Sequence, residues 1–269
     1  MKNAVDPKAR LSRKRVDVNS VTNDGALKSM IKGIPVIGPA ARKLSHLPLV
    51  MRARRLAFPG SASFWETTYR KGVQRQACPG SYGRLAEFKA EILNEFVRTK
   101  EIRSVIEFGC GDGSQLELGQ YPEYVGVDVS ASAIAQSKGR FGQDSSKRFY
   151  RVDALPEDIG QFDLALSLDV IYHLIEDGIF DVYMKRLFRS SGRYVAIYAS
   201  NYDAWVEGFH VRHRKFTGWI EENAPGWRLD GCVANRFPFD ASCPDDTSFA
   251  DFYFFVRHPC DADAPASPR

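Results

Sequence analysis

The chain has 269 residues, of which 44% are hydrophobic and 26% are charged, a composition typical of a soluble globular protein with one main domain. Its formal net charge of +4 is unevenly distributed: residues 1–60 carry 13 of the 37 Lys and Arg but only 3 of the 33 Asp and Glu, so a basic arm precedes a mildly acidic body. The chain has five cysteines and no CxxC pair, which argues against a disulfide framework or a zinc cluster and favours a reducing compartment. It has no apolar run of 18 residues, so we expect no transmembrane helix.

Residues 1–56 are the predicted basic arm. The first 30 residues are polar and charged and show no helical or strand periodicity, which predicts disorder and does not resemble a signal peptide. In residues 31–56, apolar residues are mixed with arginines and lysines, and three prolines limit any helix to short pieces. Such an arm fits an anionic membrane surface, nucleic acid or the flank of its own domain, or is simply solvated. The sequence leaves these alternatives open.

The predicted main domain covers residues 57–259, and the Pro-containing residues 260–269 are a predicted loose tail. The first part of the domain, residues 57–83, is rich in aromatic residues and glycine. Within it, residues 64–82 are the predicted lid of a binding site. Residues 84–100 have apolar side chains at 3.6-residue spacing and form the clearest helix of the chain. We expect the charged side chains of this helix to face outward.

Residues 104–128 have the pattern of a strand, a glycine loop, a helix and a second strand. An apolar run leads into Gly109, Gly111 and Gly113, and another apolar run ends on the carboxylate of Asp128. Glycine permits positive φ and lets a ligand approach the backbone closely, and the amides at the start of the following helix would supply hydrogen-bond donors. We therefore expect a nucleoside-shaped ligand at this loop.

Strands and helices alternate along the rest of the chain. The predicted strands are 148–152, 162–168, 192–199, 227–236 and 249–257, and the predicted helices are 130–140, 176–188 and 215–223. This alternation predicts a parallel sheet with helices on both faces. The last two strands follow each other with only a loop between them, so we expect them to pair as an antiparallel hairpin at one edge.

The spacing of the three glycines discriminates between nucleotide-binding families. Dinucleotide-binding folds use GxGxxG, whereas residues 109–113 read GCGDG, so the third glycine comes one position early and NAD is disfavoured. Residues 107–113 and Asp128 resemble the first motif and the second-strand acidic residue of class I S-adenosylmethionine-dependent methyltransferases, and the resemblance extends over about residues 64–257. It implies an α/β fold with a Rossmann-like, doubly wound, mostly parallel seven-stranded sheet, an antiparallel last strand and helices on both faces.

The resemblance also implies S-adenosylmethionine as cofactor. The glycine loop and Glu107 would hold its methionine part, Asp128 would accept hydrogen bonds from the ribose, and residues after the second, third and fourth strands would contact the adenine face, the adenine edge and the sulfonium region. The implied cofactor-binding residues are Glu107, Gly109, Gly111, Gly113, Asp128, Val129, Asp153, Ala154 and Leu168. In the lid, Trp65, Tyr69 and Arg84 are candidates for contact with the adenosine or the carboxylate, with core packing as the alternative for the aromatic residues.

The candidates for catalysis follow the fourth strand. Methyl transfer needs mainly the in-line placement of a nucleophile, and a general base only where the acceptor carries a proton of unsuitable pKa. The candidates are Asp169, Tyr172 and His173; the resemblance favours His173, as a base, an orienting donor or a packing element. Residues 201–214 contain clustered His and Arg and are a candidate substrate wall for an anionic group, or are simply solvated. No Cys, Asp or Glu set completes a metal site there, so no metal is expected.

These observations predict an enzyme that transfers a methyl group from S-adenosylmethionine to an oxygen or nitrogen atom of a small molecule or glycoconjugate. One alternative is a catalytically silent cofactor-binding assembly protein. Another is a nucleic-acid methyltransferase, which is disfavoured because SLDVIYHL, at and after the fourth strand, lacks the Asn/Asp-Pro-Pro-aromatic motif. The expected location is cytoplasmic, and peripheral contact of the basic arm with an anionic inner membrane surface stays open.

Overall fold

The computed structural model describes residues 58–205 and 210–258. The predictions for the basic arm and for the C-terminal tail concern residues outside these ranges. Most predicted helices and strands are present, with ends that differ by at most three residues from the predicted ones. None of the helices in the described ranges combines the length and the apolar character needed to cross a bilayer.

The elements are numbered here in chain order. The helices are α1 (Ser61–Arg70), α2 (Gln74–Ala77), α3 (Gly83–Thr99), α4 (Ala131–Phe141), α5 (Asp177–Arg189) and α6 (Phe216–Asn223). The strands are β1 (Ser104–Phe108), β2 (Glu123–Asp128), β3 (Lys147–Arg151), β4 (Phe162–Leu168), β5 (Ser191–Ala199), β6 (Ala204–Trp205), β7 (Arg212–His213), β8 (Trp227–Val233) and β9 (Asp251–Arg257). Short 3-10 turns include Leu116–Leu118 and Ile171–His173.

The central sheet has seven strands in the order β3-β2-β1-β4-β5-β9-β8. Strands β1 to β5 are parallel, and β9 is antiparallel to both β5 and β8, which confirms the predicted sheet and its terminal hairpin. The strand order reverses between β1 and β4, because the chain moves outward through β2 and β3 and then returns to the other side of β1. Open α/β sheets bind ligands at the carboxyl ends of the strands at such a reversal.

Helices cover both faces of the sheet because both faces are apolar. Val105 and Ile106 are neighbours on β1, point to opposite faces and are both fully buried. On one face, α3 and α4 pack through Phe88, Leu93, Val97 and Ile134. On the other face, α5 and α6 pack through Phe180, Met184, Leu187, Phe216 and Ile220. The predicted two-sided arrangement is therefore confirmed.

Two expectations about this region were wrong. The segment between the glycine loop and β2 forms only the 3-10 turn Leu116–Leu118, not a helix, because residues 114–122 are too few for a helix and its two connections. The loop consequently receives no hydrogen-bond donors from a helix N-terminus. The charged side chains of α3 also do not all face outward, since Lys89 is only 1% exposed.

Candidate active site

A cavity of about 500 Å³ lies at the carboxyl ends of β1, β2 and β4. The predicted site residues in its wall are Glu107, Gly109, Gly111, Asp128, Val129, Asp153, Leu168, Asp169 and His173. Three other predicted residues, Gly113, Ala154 and Tyr172, lie near this region but do not line the cavity. Most of the predicted residues thus converge on one site, although they come from separate strands.

The glycine loop brings the backbone close to the neighbouring segments. Gly109 has φ 86° and Gly111 has φ 57°, in the region that favours glycine. A Cβ added at Gly109 would overlap Val170, and one at Gly111 would lie 2.5 Å from Tyr69 Oη. A Cβ at Gly113 would instead lie 2.7 Å from the Phe141 ring. The third glycine therefore allows helix packing, whereas the first two shape the cavity wall.

Asp128 ends β2 with its carboxylate in the cavity wall. The backbone amides of Gly111 and Ser130 donate to its two oxygens at 3.0 and 2.8 Å. Burial nevertheless raises the pKa of this carboxyl to about 6, because desolvation outweighs the two amide donors. Each carboxylate oxygen keeps further lone pairs, so Asp128 can also accept hydrogen bonds from a pair of ribose hydroxyls.

The other predicted cofactor contacts differ in their degree of burial. Glu107 is buried and accepts a hydrogen bond from Tyr124 Oη at 2.7 Å, and desolvation raises its pKa to about 7. Val129 and Ala154 are exposed at the outer side of the site. Asp153 is also exposed and forms an ion pair with Arg151. Its carboxylate thus faces solvent and a cation before any ligand binds.

These residues fit S-adenosylmethionine, the cofactor that the motifs imply. Gly109 and Gly111 lie in the cavity wall, an acceptor carboxylate is fixed at Asp128, and the apolar side chains of Val129 and Leu168 flank the same cavity. The nucleoside would be held by Asp128 and these apolar residues, and the methionine part would lie along the glycine loop. No cluster of three or more His, Cys, Asp or Glu suited to a metal ion occurs in the described ranges.

Helix α1 closes one side of the cavity. Trp65 and Tyr69 line the cavity, as the sequence predicted, whereas Arg84 does not: its guanidinium donates to Asp246 O at 2.7 Å and lies over the Phe237 ring. The predicted role of Arg84 toward the cofactor carboxylate is therefore wrong. Arg84 is the second residue of α3, and this helix contacts the 244–246 turn.

Two polar contacts fasten α1 to the rest of the site. Glu66 accepts hydrogen bonds from Ser130 and Ser132 at the start of α4, and these bonds lower its pKa to about 2. The backbone amide of Ser61 donates to Glu176 at 2.9 Å, and its hydroxyl lies 2.6 Å from Glu176 Oε2 and 2.9 Å from the backbone oxygen of His173. The lid helix is thus anchored both to the β2 side and to the β4 side of the cavity.

Asp169 follows β4 in a left-handed conformation with φ 60°. Its Oδ2 lies 2.6 Å from Lys89 Nζ, and its Oδ1 accepts a hydrogen bond from Tyr172 Oη at 2.7 Å. Sequence reasoning missed Lys89 because a lysine on an amphipathic helix is usually assigned to the solvent face. Its position directly after Phe88, within the apolar stripe of α3, was the available signal.

His173 is 8% exposed and lies between two rings. Trp65 contacts it edge-on at a centroid distance of 4.7 Å, and His210 stacks on it at 5.7 Å. Its Nδ1 lies 3.0 Å from the backbone oxygen of His210. Because a carbonyl oxygen only accepts, Nδ1 must carry the proton and Nε2 the lone pair. Burial lowers the pKa of His173 to about 4, so the ring is neutral at pH 7.

Two arginines of the cationic segment 201–214, Arg212 and Arg214, form bonds within the fold. Arg214 is 7% exposed and donates to the backbone oxygens of Leu174 and Ile175, and both Arg212 and Arg214 pair with Asp177. The proposed anionic-substrate role of these two arginines is therefore not supported. Among the described residues of this segment, His210 is the one that stacks on His173.

The part of the chain that forms this site also matches known methyltransferases. A family model described as a methyltransferase domain matches residues 106–193. The magnesium protoporphyrin IX methyltransferase ChlM from Synechocystis PCC 6803, solved with bound SAM, aligns with a TM-score of 0.54 and 15% identity over 75% of this chain and 99% of that one. The N-methyltransferase NodS from Bradyrhizobium japonicum WM9, solved with S-adenosyl-L-homocysteine, aligns with a TM-score of 0.50 and 16% identity over 65% and 88%.

The methyltransferase domain of a bacterial CtHen1 aligns with a TM-score of 0.50 and 18% identity over 63% of this chain and 97% of that one. At such identities the three structures show a shared fold. A search of curated protein sequences gives no match.

Proposed function

We propose that this protein methylates an oxygen or nitrogen atom of a small molecule or glycoconjugate. Its matched methyltransferase domain and its strand order identify it as a class I S-adenosylmethionine-dependent methyltransferase. The observation that carries the proposal is the neutral imidazole of His173, fixed in one tautomer within the cavity wall. An imidazole in this state accepts a hydrogen bond at Nε2, which suits an acceptor that carries an O–H or N–H group.

The role of each residue follows from its environment. The bound cofactor supplies an electrophilic methyl group on a sulfonium, which is already a good leaving group. His173 Nε2 accepts a hydrogen bond from the O–H or N–H of the acceptor group and so orients its lone pair for in-line attack, and the displaced proton passes to solvent after methyl transfer. A base with a pKa of about 4 removes protons efficiently only from acidic hydroxyls, so orientation is the main role we assign to His173.

Asp169 and Tyr172 are the other two candidates for a catalytic base. Asp169 pairs with Lys89 and accepts a hydrogen bond from Tyr172, so its carboxylate is held in place by two partners. Burial raises the pKa of Tyr172 well above its usual range, which keeps its hydroxyl protonated. Neither side chain is therefore our preferred base.

The shape of the cavity favours a small acceptor group. Its volume of about 500 Å³ is in the range of small-molecule sites, and much of its wall is apolar, with Trp65 and Leu174 near His173. Helix α1 closes one side of the cavity. A sugar hydroxyl or amine at the end of a larger glycoconjugate also fits this description, because only the reacting group has to enter.

The test is to incubate the purified protein with cofactor carrying an isotopically labelled methyl group and with fractionated cell extract. We expect label in a low-molecular-weight or glycoconjugate fraction, detected by mass spectrometry as a gain of one labelled methyl. The matched control is His173→Phe, which should still bind S-adenosylhomocysteine but transfer little label. Label in nucleic acid or protein, or no transfer by protein that binds the cofactor, would contradict the proposal.

A further inference from the structure

Two polar side chains in the cavity wall, those of Lys89 and Gln115, are almost completely buried. Lys89 of α3 is 1% exposed, and Gln115, which follows the glycine loop, is 9% exposed. Lysine and glutamine are seldom buried unless their polar ends have partners. Their burial beside a cofactor site suggests that a ligand completes their hydrogen bonding.

The orientation of the Gln115 amide is fixed by its neighbour. Its Nε2 lies 3.0 Å from the backbone oxygen of Ala86, which can only accept, so the nitrogen must point there. The carbonyl oxygen Oε1 is then the other end of the amide. It is buried and has no hydrogen-bond partner among the described residues. A hydrogen-bond donor on a ligand would remove the cost of this buried acceptor.

Lys89 places a cation next to this acceptor. Ala86 and Lys89 are three residues apart on α3, and residues at this spacing are neighbours on one helix face. The ammonium of Lys89 has three N–H donors, and Asp169 accepts from one of them at 2.6 Å. The same group can therefore donate to a second anion while it keeps this ion pair.

Two other basic side chains, those of Arg84 and Arg186, have partners away from Gln115. Arg84 is engaged with Asp246 and Phe237 outside the cavity. Arg186 lines the cavity from α5 and donates to the backbone oxygen of Val152, at the β3 side, where the adenine is expected. Among the described lining residues, Lys89 is thus the cation that accompanies Gln115.

We propose that Lys89 and Gln115 form the subsite for the zwitterionic amino-acid end of the cofactor. Lys89 Nζ donates to the carboxylate, and Gln115 Oε1 accepts from the α-ammonium group. Glu107 places a carboxyl group in the same wall. The inference rests on the identity of the cofactor and not on the acceptor proposed above, so it can fail while the proposed reaction stands.

The test compares two ligands by calorimetric titration. S-adenosylhomocysteine has the amino-acid end, and 5′-methylthioadenosine lacks it. Lys89→Met should lower the affinity for S-adenosylhomocysteine by about 10- to 100-fold, and Gln115→Leu by about 3- to 10-fold, while the affinity for 5′-methylthioadenosine changes less than about 2-fold. The control Asp128→Asn removes a contact to the part that both ligands share, so it should weaken both by a similar factor.

Equal losses for both ligands in the Lys89 variant would overturn the proposal, because they would mean that Lys89 acts only through packing or through Asp169. The double variant Lys89→Met/Asp169→Asn avoids leaving an unpaired buried carboxylate and should show the same ligand selectivity. If neither variant folds, the proposal is tested on the wild-type protein. It should bind the decarboxylated analogue of S-adenosylhomocysteine at least about 10-fold more weakly than the parent compound, and equal affinities would overturn the proposal.

Discussion

The hydroxyl of Tyr69 occupies the space in which a side chain at Gly111 would begin. A Cβ at Gly111 would lie 2.5 Å from Tyr69 Oη. Tyr69 belongs to the lid helix α1, and Gly111 to the loop after β1. The lid is therefore packed directly on the glycine loop, and a side chain at residue 111 would displace Tyr69.

This contact predicts the effect of Gly111→Ala. The substitution should lower the free energy of unfolding by about 2 to 4 kcal/mol, since the positive φ costs about 1 kcal/mol and the overlap with Tyr69 adds to it. Gly72→Ala is the matched control, because Gly72 also has positive φ, 66°, but open space around it. Adding Tyr69→Phe should recover part of the loss in the Gly111 variant. Urea unfolding measures all four proteins, and no recovery would contradict the steric explanation.

The Glu66 contacts predict how firmly the lid is held. Glu66→Ala should increase hydrogen exchange in α1 and at the start of α4, and cost about 1 kcal/mol, as for a lost helix cap. Arg70→Ala changes an exposed residue of the same helix and should leave exchange unchanged. Because the pKa of Glu66 is lowered to about 2, its contribution is present above pH 4.5 and is lost as the pH falls toward 2. Exchange that is equal in the two variants would rule out the anchoring role.

The features predicted well from the sequence depend on residues that are close together in the chain. Gly109, Gly111 and Asp128 belong to one stretch whose local pattern specifies a loop between two strands, and the alternation of apolar runs specifies the sheet. Lys89 was missed because its partner Asp169 is 80 residues away and follows another strand. Arg214 was misjudged for the same reason, since its bonds to Leu174 and Asp177 make a buried structural residue out of an apparent surface cation.

If His173 orients the methyl acceptor, substitutions of His173 should reduce turnover without weakening cofactor binding. With an acceptor identified, His173→Phe should reduce kcat at least about 100-fold, the lower end for a lost proton-handling or orienting group, while the affinity for S-adenosylhomocysteine changes little. His173→Gln keeps a hydrogen-bond acceptor and should retain more activity than His173→Phe. Because the His173 pKa is lowered to about 4, the wild-type pH profile should show no loss of activity from its protonation between pH 8 and 5.5. Equal activity of wild type and His173→Phe would exclude a direct role.

Asp128 predicts opposite effects on stability and on cofactor binding. Its pKa is raised to about 6 in the folded protein against 3.8 in the unfolded chain, so the folded state binds more protons between these values and the Asp128 contribution to stability falls as the pH rises through them. Asp128→Asn should therefore raise the free energy of unfolding of the ligand-free protein at pH 7.5, by about 1 kcal/mol after allowance for a weaker acceptor for the Gly111 and Ser130 amides.

The same variant should bind S-adenosylhomocysteine about 10- to 100-fold more weakly, because the carboxylate that accepts from the ribose is gone. In the wild type, this affinity should fall as the pH drops below 6, by up to about tenfold per pH unit, and the Asp128 variant should lose that dependence. Glu107→Gln, titrated in parallel, separates the contribution of the other carboxyl with a raised pKa. A wild-type affinity that is constant from pH 5 to 7.5 would show that Asp128 does not bind the ribose as an ionised group.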